Sequence, residues 1–362
     1  MRCTCVIYLV DIPILQAVPP STRKYDLLGD DPELLFAGVD QIVLEVISRE
    51  RERREQHHQA SGMSLNDSLE QLPTTQQPLQ QLPSVSSGGG GVYGGGGARK
   101  KVWRLKKVVK KLVAGIQKLP EYQGREELLK VRAFFKWVVE SIAYDPTYLD
   151  RDMTIQEILV ERKGVCKQYV KLFGEMCSLG NVRVKSLKGF AKGPQYDPGL
   201  EFVPGEGVSH AWNAVFIQGS WRLLDCTWGA GKMDEDGDDY VKETNEHYFL
   251  TDPDELIYSH FPYDEVISRY LSFWSCCKKY SILSSIQVEA NYSRWQLLTS
   301  PISLSAFNTI PLLTPMFFEY SLRLSSEMKT PVSITESSED IKIGAWEVIR
   351  YKYKFYLASE VR

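Results

Sequence analysis

Apolar residues recur at helical spacing along much of the first half of the chain and at alternate positions in later stretches, and this change of period divides it. Leu35, Phe36, Val39, Ile42, Val43, Val46 and Ile47 follow Asp31-Pro32, an N-cap with proline at the first helical position. They predict an amphipathic helix over 31–56 that ends in the charged run Arg49 to Glu55. Such a helix either docks loosely, self-associates or binds a partner by its apolar face. A second stripe, Val102, Leu105, Val108, Val109, Leu112 and Ile116, is interleaved with Arg99, Lys100, Lys101, Arg104, Lys106, Lys107, Lys110 and Lys111. Leu119-Pro120 ends it. Its cations suit a calmodulin-like partner, an acidic filament surface or a membrane face; they equally suit the solvated side of a helix packed on a core. Leu128, Val131, Phe134, Phe135, Val138, Val139 and Ile142 predict a core helix that stops at Tyr144-Asp145-Pro146. Thr154 and Glu157 have capping-box spacing for a short helix. Residues 166–177 place Tyr169, Val170, Phe173, Met176 and Cys177 on one helical face.

Strand signals follow. Val182 to Phe190 alternates, and 210–217 is rich in β-formers. Gln218-Gly219-Ser220 carries a turn signal, and Trp221 to Thr227 reads as the return strand. Between the first two lies the Gly- and Pro-rich loop Lys192 to Val208, which either lies across a cleft or is plain surface. The acidic patch Asp234 to Asp239 reads as a hairpin tip, because Lys232 occupies the first ligand position of an EF-hand alignment. Further on, Met316, Phe318, Tyr320, Leu322 and Leu324 alternate against Phe317, Glu319, Ser321 and Arg323, and Ile349, Tyr351, Tyr353, Phe355 and Leu357 against Arg350, Lys352 and Lys354. These predict an antiparallel sheet, part of a sandwich.

The segment 57–98 is dominated by Gln, Ser, Pro and Gly and ends in two four-glycine runs; it buries too little apolar surface to offset its ordering entropy and is expected to be a disordered linker. The organisation expected is thus an unassigned N-terminus (1–30), the helix 31–56, the linker 57–98, an α+β domain with a basic leading helix (99–275), and a β-rich C-terminal module (276–362).

A formal charge of −3 over 362 residues gives no reason to expect nucleic acid as a partner. Seven cysteines without a Cys-x-x-Cys spacing favour reduced thiols and a cytoplasmic setting, and argue against a zinc site. The apolar run 5–18 imitates a secretory signal, but Asp11 and Pro13 interrupt it; neither a signal peptide nor an integral membrane segment is expected.

The candidate chemistry lies in three separated motifs. Gly164-Val165-Cys166 opens a helix, where unpaired amides and the dipole favour a thiolate and can hold an oxyanion. Ser209-His210-Ala211-Trp212-Asn213 and Leu224-Asp225-Cys226-Thr227-Trp228 fall on the two arms of the hairpin. If its turn is Gln218-Gly219, Trp212 faces Asp225 and His210 is the diagonal neighbour on the same face. The order suits a nucleophile, its base and an orienting carboxylate.

These motifs resemble the core of the transglutaminase-like superfamily. Glu246-His247-Tyr248-Phe249-Leu250-Thr251-Asp252-Pro253 and Ser259-His260-Phe261-Pro262 resemble, more particularly, the kyphoscoliosis peptidase branch. The resemblance implies a papain-like cysteine-hydrolase core, so that the fold expected is α+β, this core followed by the β-sandwich-like module read from the later alternation. It implies a Cys166, His210, Asp225 triad and a thiol peptidase acting on or bound to cytoskeletal proteins; no cofactor or metal is expected, since the cysteine spacing offers no zinc site and the acidic patch no calcium loop. The alternatives are a non-catalytic cytoskeletal scaffold that keeps the fold and a protein-glutamine transglutaminase, whose triad is the same. His247 and His260 are expected to be structural; Trp137 and Tyr144 are expected to pack rather than touch substrate.

Overall fold

The computed structural model describes residues 23–29, 31–61, 96–193, 196, 201–203, 209–234, 239–263 and 294–320, and short strands at 5–7, 323–324, 332–334 and 343–344. Most of the segment 57–98 lies outside them. After α1 (Lys24–Leu28), α2 spans Pro32–Ser61, its start capped by Asp31 Oδ1, which accepts from the Leu34 amide at 2.9 Å. It continues beyond 56 because no helix breaker occurs before Gly62. The basic helix α3 (Gly96–Ile116) and the core helix α4 (Glu126–Ser141) follow. α5 (Ile155–Glu161) begins with a complete capping box between Thr154 and Glu157, and α6 spans Cys166–Leu179.

Leu105, Val108, Val109, Leu112 and Ile116 of α3 are buried in the main core, while Lys106, Lys107 and Lys110 remain exposed. The cations are therefore the solvated side of a packed helix. α2 is also part of this layer, and it is clamped rather than loosely docked. Arg132 of α4 is buried; its Nε donates to Asp40 on α2 at 2.8 Å and its Nη2 to Glu246 at 2.9 Å. The guanidinium also packs on the rings of Phe36 and Phe249.

Beyond β1 (Cys5–Ile7) and a parallel pair, β2 (Ala143–Tyr144) with β3 (Lys163–Gly164), the main sheet has four antiparallel strands. These are β4 (Val184–Ala191), β5 (His210–Ile217), β6 (Ser220–Leu224) and β9 (His260–Pro262), in the order β6-β5-β4-β9; between β6 and β9 in the chain come β7 (Gly231–Met233), β8 (Tyr240–Lys242) and α7 (Pro253–Leu256). Val215, Ile217 and Leu224 face the helices; Leu187, Trp212, Ala214 and Leu223 form a second cluster with Tyr248 and Leu256. Gln218 (φ 47°) and Gly219 (φ 83°) form the two-residue turn, both with positive φ as a type I′ hairpin requires, and the register pairs Ile217 with Ser220 and Asn213 with Leu224. β6 stops at Leu224 instead of running to Thr227, because Asp225 Oδ1 turns back to accept from the amides of Thr227 (2.7 Å) and Trp228 (3.3 Å). β4 and β9 approach so closely that a Cβ on Gly189 would lie 2.0 Å from the Phe261 carbonyl oxygen. β7 and β8 form a hairpin at the acidic patch, with Lys232 paired to Glu243 at 2.8 Å.

The C-terminal region departs from expectation. Instead of a strand, Pro315–Glu319 is a helix (α9), preceded by α8 (Leu304–Thr309) with Ser303 as its cap. Thr314-Pro315 is a helix start that overrides the local alternation, since proline at N1 needs no amide partner and presets φ. Phe307 and Ile310 pack on Phe190, Ile257 and Phe261 of the α+β domain. The remaining strands here form two short pairs, β1 with β11 (Val332–Ile334) and β10 (Arg323–Leu324) with β12 (Ile343–Gly344), so the described residues contain no sandwich. The alternation at 349–357 lies outside the described residues.

Candidate active site

The start of α6 is held in place by a side chain two residues on. Gln168, fully buried, accepts from the Val165 amide at 3.0 Å and donates to the Arg151 carbonyl at 2.7 Å. Gly164 permits this, because a Cβ there would lie 2.7 Å from the Gln168 Cβ. Tyr169, Phe173, Met176 and Cys177 anchor the helix in the core, and Cys166 is left half-buried at its tip.

His210 opens β5, buried at 8% exposure, and its Nε2 lies 2.6 Å from Asp225 Oδ2. Nδ1 is the ring nitrogen that Asp225 leaves unengaged, and Cys166 lies close enough to act on the imidazole electrostatically. The ring packs against Trp228 (5.1 Å between centroids) and Trp212 (6.1 Å). Burial works against a charged imidazole, but the Asp225 charge and hydrogen bond, and then Cys166, raise His210 well above its ordinary pKa. Burial likewise opposes ionisation of Asp225; the charge and hydrogen bond of His210, with a hydrogen bond from His260, hold it far below the usual carboxylate range.

The structure thus joins His210 to Asp225, sets Cys166 near enough to influence the imidazole, and adds His260, to which sequence reasoning gave only a structural part. Its Nε2 lies 3.2 Å from the same Asp225 Oδ2, and its Nδ1 lies 2.8 Å from Ser259 Oγ. The segment Ser259 to Pro262 carries no spacing that would reveal this; only pairing of β9 with β4 delivers it. Ligand atoms of His210, Asp225 and His260 all lie within 4.8 Å of one another. The 2.6 Å separation is a hydrogen bond, however, and is shorter than the roughly 3.3 Å that donors on a tetrahedral metal keep. Trp137 is fully buried beneath the Arg162 guanidinium and is a core residue. Tyr144 is half-buried beside Tyr240; burial and the nearby Cys166 charge raise its hydroxyl pKa. His247 stacks on Phe318, away from the triad, and burial lowers it to about 4.

The profile of the Transglutaminase-like superfamily matches residues 117–226. Human kyphoscoliosis peptidase is 38% identical over 144 residues, covering 39% of this chain and 22% of that protein. The Caenorhabditis elegans Lim and transglutaminase domain protein ltd-1 is 28% identical over 257 residues, 66% of this chain and 31% of that protein. Cytokinesis protein 3 of Schizosaccharomyces pombe is 26% identical over 139 residues, 37% of this chain and 15% of that protein. The chain therefore spans about a third or less of the length of these relatives. No helix among the described residues is long and apolar enough to cross a membrane. A cysteine at a helix tip, a histidine opening the central strand and an aspartate just past the return strand fall where the profile match runs, and this chain carries a domain of the transglutaminase-like superfamily, related to kyphoscoliosis peptidase.

Proposed function

We propose that the domain is a cytoplasmic cysteine peptidase in which Cys166, His210 and Asp225 act as nucleophile, base and orienter. The observation that carries the reading is the buried His210–Asp225 hydrogen bond beside a half-exposed thiol at a helix start. Cys166 Sγ attacks an amide carbonyl carbon, and its proton resides on His210 Nδ1. The backbone amides at the start of α6 hold the oxyanion. As the C–N bond breaks, His210 gives its proton to the departing amine and an acyl thioester remains. Water then attacks the thioester; His210 takes the water proton and returns it to the sulfur as the carboxylic acid leaves. Asp225 keeps the imidazole in the tautomer with Nδ1 towards Cys166. A lysine amine in place of water would give a cross-link with the same residues. Cytoskeletal proteins are the proposed substrate or partner class, a reading supported by the relative named cytokinesis protein 3.

The test is the pH dependence of Cys166 alkylation by iodoacetamide, read by mass spectrometry, in the wild type and in His210→Ala. Fast labelling well below the ordinary thiol pKa of about 8.5 is expected, with collapse in the variant. Ordinary thiol labelling in both proteins would overturn the enzyme reading and leave a binding domain, in which Cys166→Ala does not alter partner capture.

A further inference from the structure

Asp225 is completely buried, yet it is an anion, and four donors surround it. Oδ1 accepts from the amides of Thr227 and Trp228; Oδ2 accepts from His210 and faces His260. The mechanism above uses only the His210 bond. We propose that His260 is a positioning residue for this pair: a neutral imidazole whose Nε2–H donates to Asp225 Oδ2 and keeps the carboxylate anionic beside a protonated His210. The proposal rests on the Cys166–His210 reading.

The tautomer follows from the charges. A lone pair on His260 Nε2 facing a carboxylate oxygen at 3.2 Å would be repelled, so Nε2 carries the hydrogen. Nδ1 then accepts from the Ser259 hydroxyl at 2.8 Å, which is shorter than that hydroxyl's 3.2 Å contact with the Leu256 carbonyl. Both ring nitrogens are thereby used and the ring is fixed. Its faces and edges meet Trp228 at 4.4 Å and Trp212 at 5.1 Å between centroids, leaving it fully desolvated. The titratable groups around it are Asp225, His210 and Tyr248, with His247 further off. Burial and the neighbouring His210 charge outweigh Asp225 and bring His260 down to about 4, so it stays uncharged while His210 holds the proton.

The consequence concerns where one proton sits. It rests on His210, whose Nε2 lies 2.6 Å from the buried Asp225 carboxylate. Remove a donor from Oδ2 and the buried anion is less well stabilised, so the proton moves towards the carboxylate. His210 becomes neutral, and the Cys166 thiolate loses its cation.

His260→Phe keeps the ring packing and removes the donor, whereas His260→Gln can donate to Asp225 and accept from Ser259. Alkylation of Cys166 in the Phe variant is expected to be about tenfold slower at neutral pH, with the acid limb displaced upward by about one unit, the same factor expressed as a protonation equilibrium. The Gln variant is expected to stay within about threefold of wild type, since it retains the charge-assisted bond. A Phe-variant profile superimposed on wild type would overturn the role of His260 while leaving the Cys166–His210 pair intact. So would a folded Gln variant as slow as the Phe variant. If His260→Phe does not fold, Ser259→Ala, which frees the tautomer, takes its place: slower alkylation is expected, and an unchanged profile overturns the proposal. Ordinary thiol behaviour in the wild type itself would instead overturn the underlying pair, and this proposal with it.

Discussion

Replacing Arg132 by methionine tests how the N-terminal helix is held. The substitution keeps much of the side-chain volume but removes a guanidinium that is 4% exposed and bonded to Asp40 and Glu246, whose side chains are 25% and 53% exposed. Hydrogen bonds to charged groups contribute about 1.5–3 kcal/mol each when buried. The two bonds to Asp40, whose carboxylate is itself partly exposed, together fall near the upper end of that range, whereas the Glu246 share must be discounted because water reaches that carboxylate. Contacts of the cation with Phe36 and Phe249 add a smaller amount. Arg132→Met is therefore expected to cost about 3 kcal/mol, or about 6–12 °C in Tm for a domain of this size. Asp40→Asn is expected to cost about 1–2 kcal/mol, and Glu246→Gln less than about 1 kcal/mol. Urea unfolding of the three variants checks the order, and amide exchange in α2 checks where the loss falls. A cost below about 1 kcal/mol for Arg132→Met, or Glu246→Gln exceeding Asp40→Asn, would refute the reasoning. The pH dependence gives a second check. Burial tends to raise the Glu246 carboxyl, but Arg132 brings it below its ordinary value of 4.5. Its contribution is thus present above that value and is lost as pH falls below it. In Arg132→Met this acid-side loss is expected to disappear.

Two further substitutions probe the far edge of the sheet. Lys192 is buried, donates to the Phe307 carbonyl at 2.7 Å and to that of Ile310, and burial lowers its pKa to about 7. The unfolded chain binds its proton up to about 10.4, so the cost of burying the cation is fully present below pH 7 and is relieved as pH rises between these values. Thermal melts of wild type should gain stability over that window relative to Lys192→Met; parallel curves would refute this. Gly189→Ala places a methyl carbon 2.0 Å from the Phe261 carbonyl oxygen and must push β9 off β4, at a cost of about 1–3 kcal/mol. The His260 ring signals in an NMR spectrum are expected to move with it, and an unperturbed spectrum would refute the strand geometry.

Features set by short-range chemistry were legible in the sequence. The Gln218-Gly219 turn fixed the hairpin register, and through it the common face of His210 and Asp225, because both turn residues adopt the positive φ that a two-residue loop needs. The cores of α4 and α6 followed from strong periodicity, and the start of α5 from its capping box. What escaped depended on partners distant in the chain. Arg132 reads as an ordinary helix-surface charge until Asp40 and Glu246, 92 and 114 residues away, converge on it. His260 is an isolated histidine among aromatics until β9 pairs with β4 and turns it towards Asp225, 35 residues earlier. At Pro315 the difference is of another kind: the alternation from Met316 to Leu324 is too short a run to separate helix from strand, and the Thr314-Pro315 pair starts a helix over its first part.

The packing of α3 also sets the kinetics of anything that meets it. A ligand that grips an amphipathic helix by its apolar stripe finds Leu105, Val108, Val109, Leu112 and Ile116 already covered. It must wait for the helix to leave the core, so its observed association rate would level off at the opening rate however concentrated the ligand. Lys106, Lys107 and Lys110, in contrast, stand in solvent before any encounter. Contact with them needs no opening, remains second order, and weakens with added salt. The concentration dependence of a single binding trace therefore distinguishes the two modes.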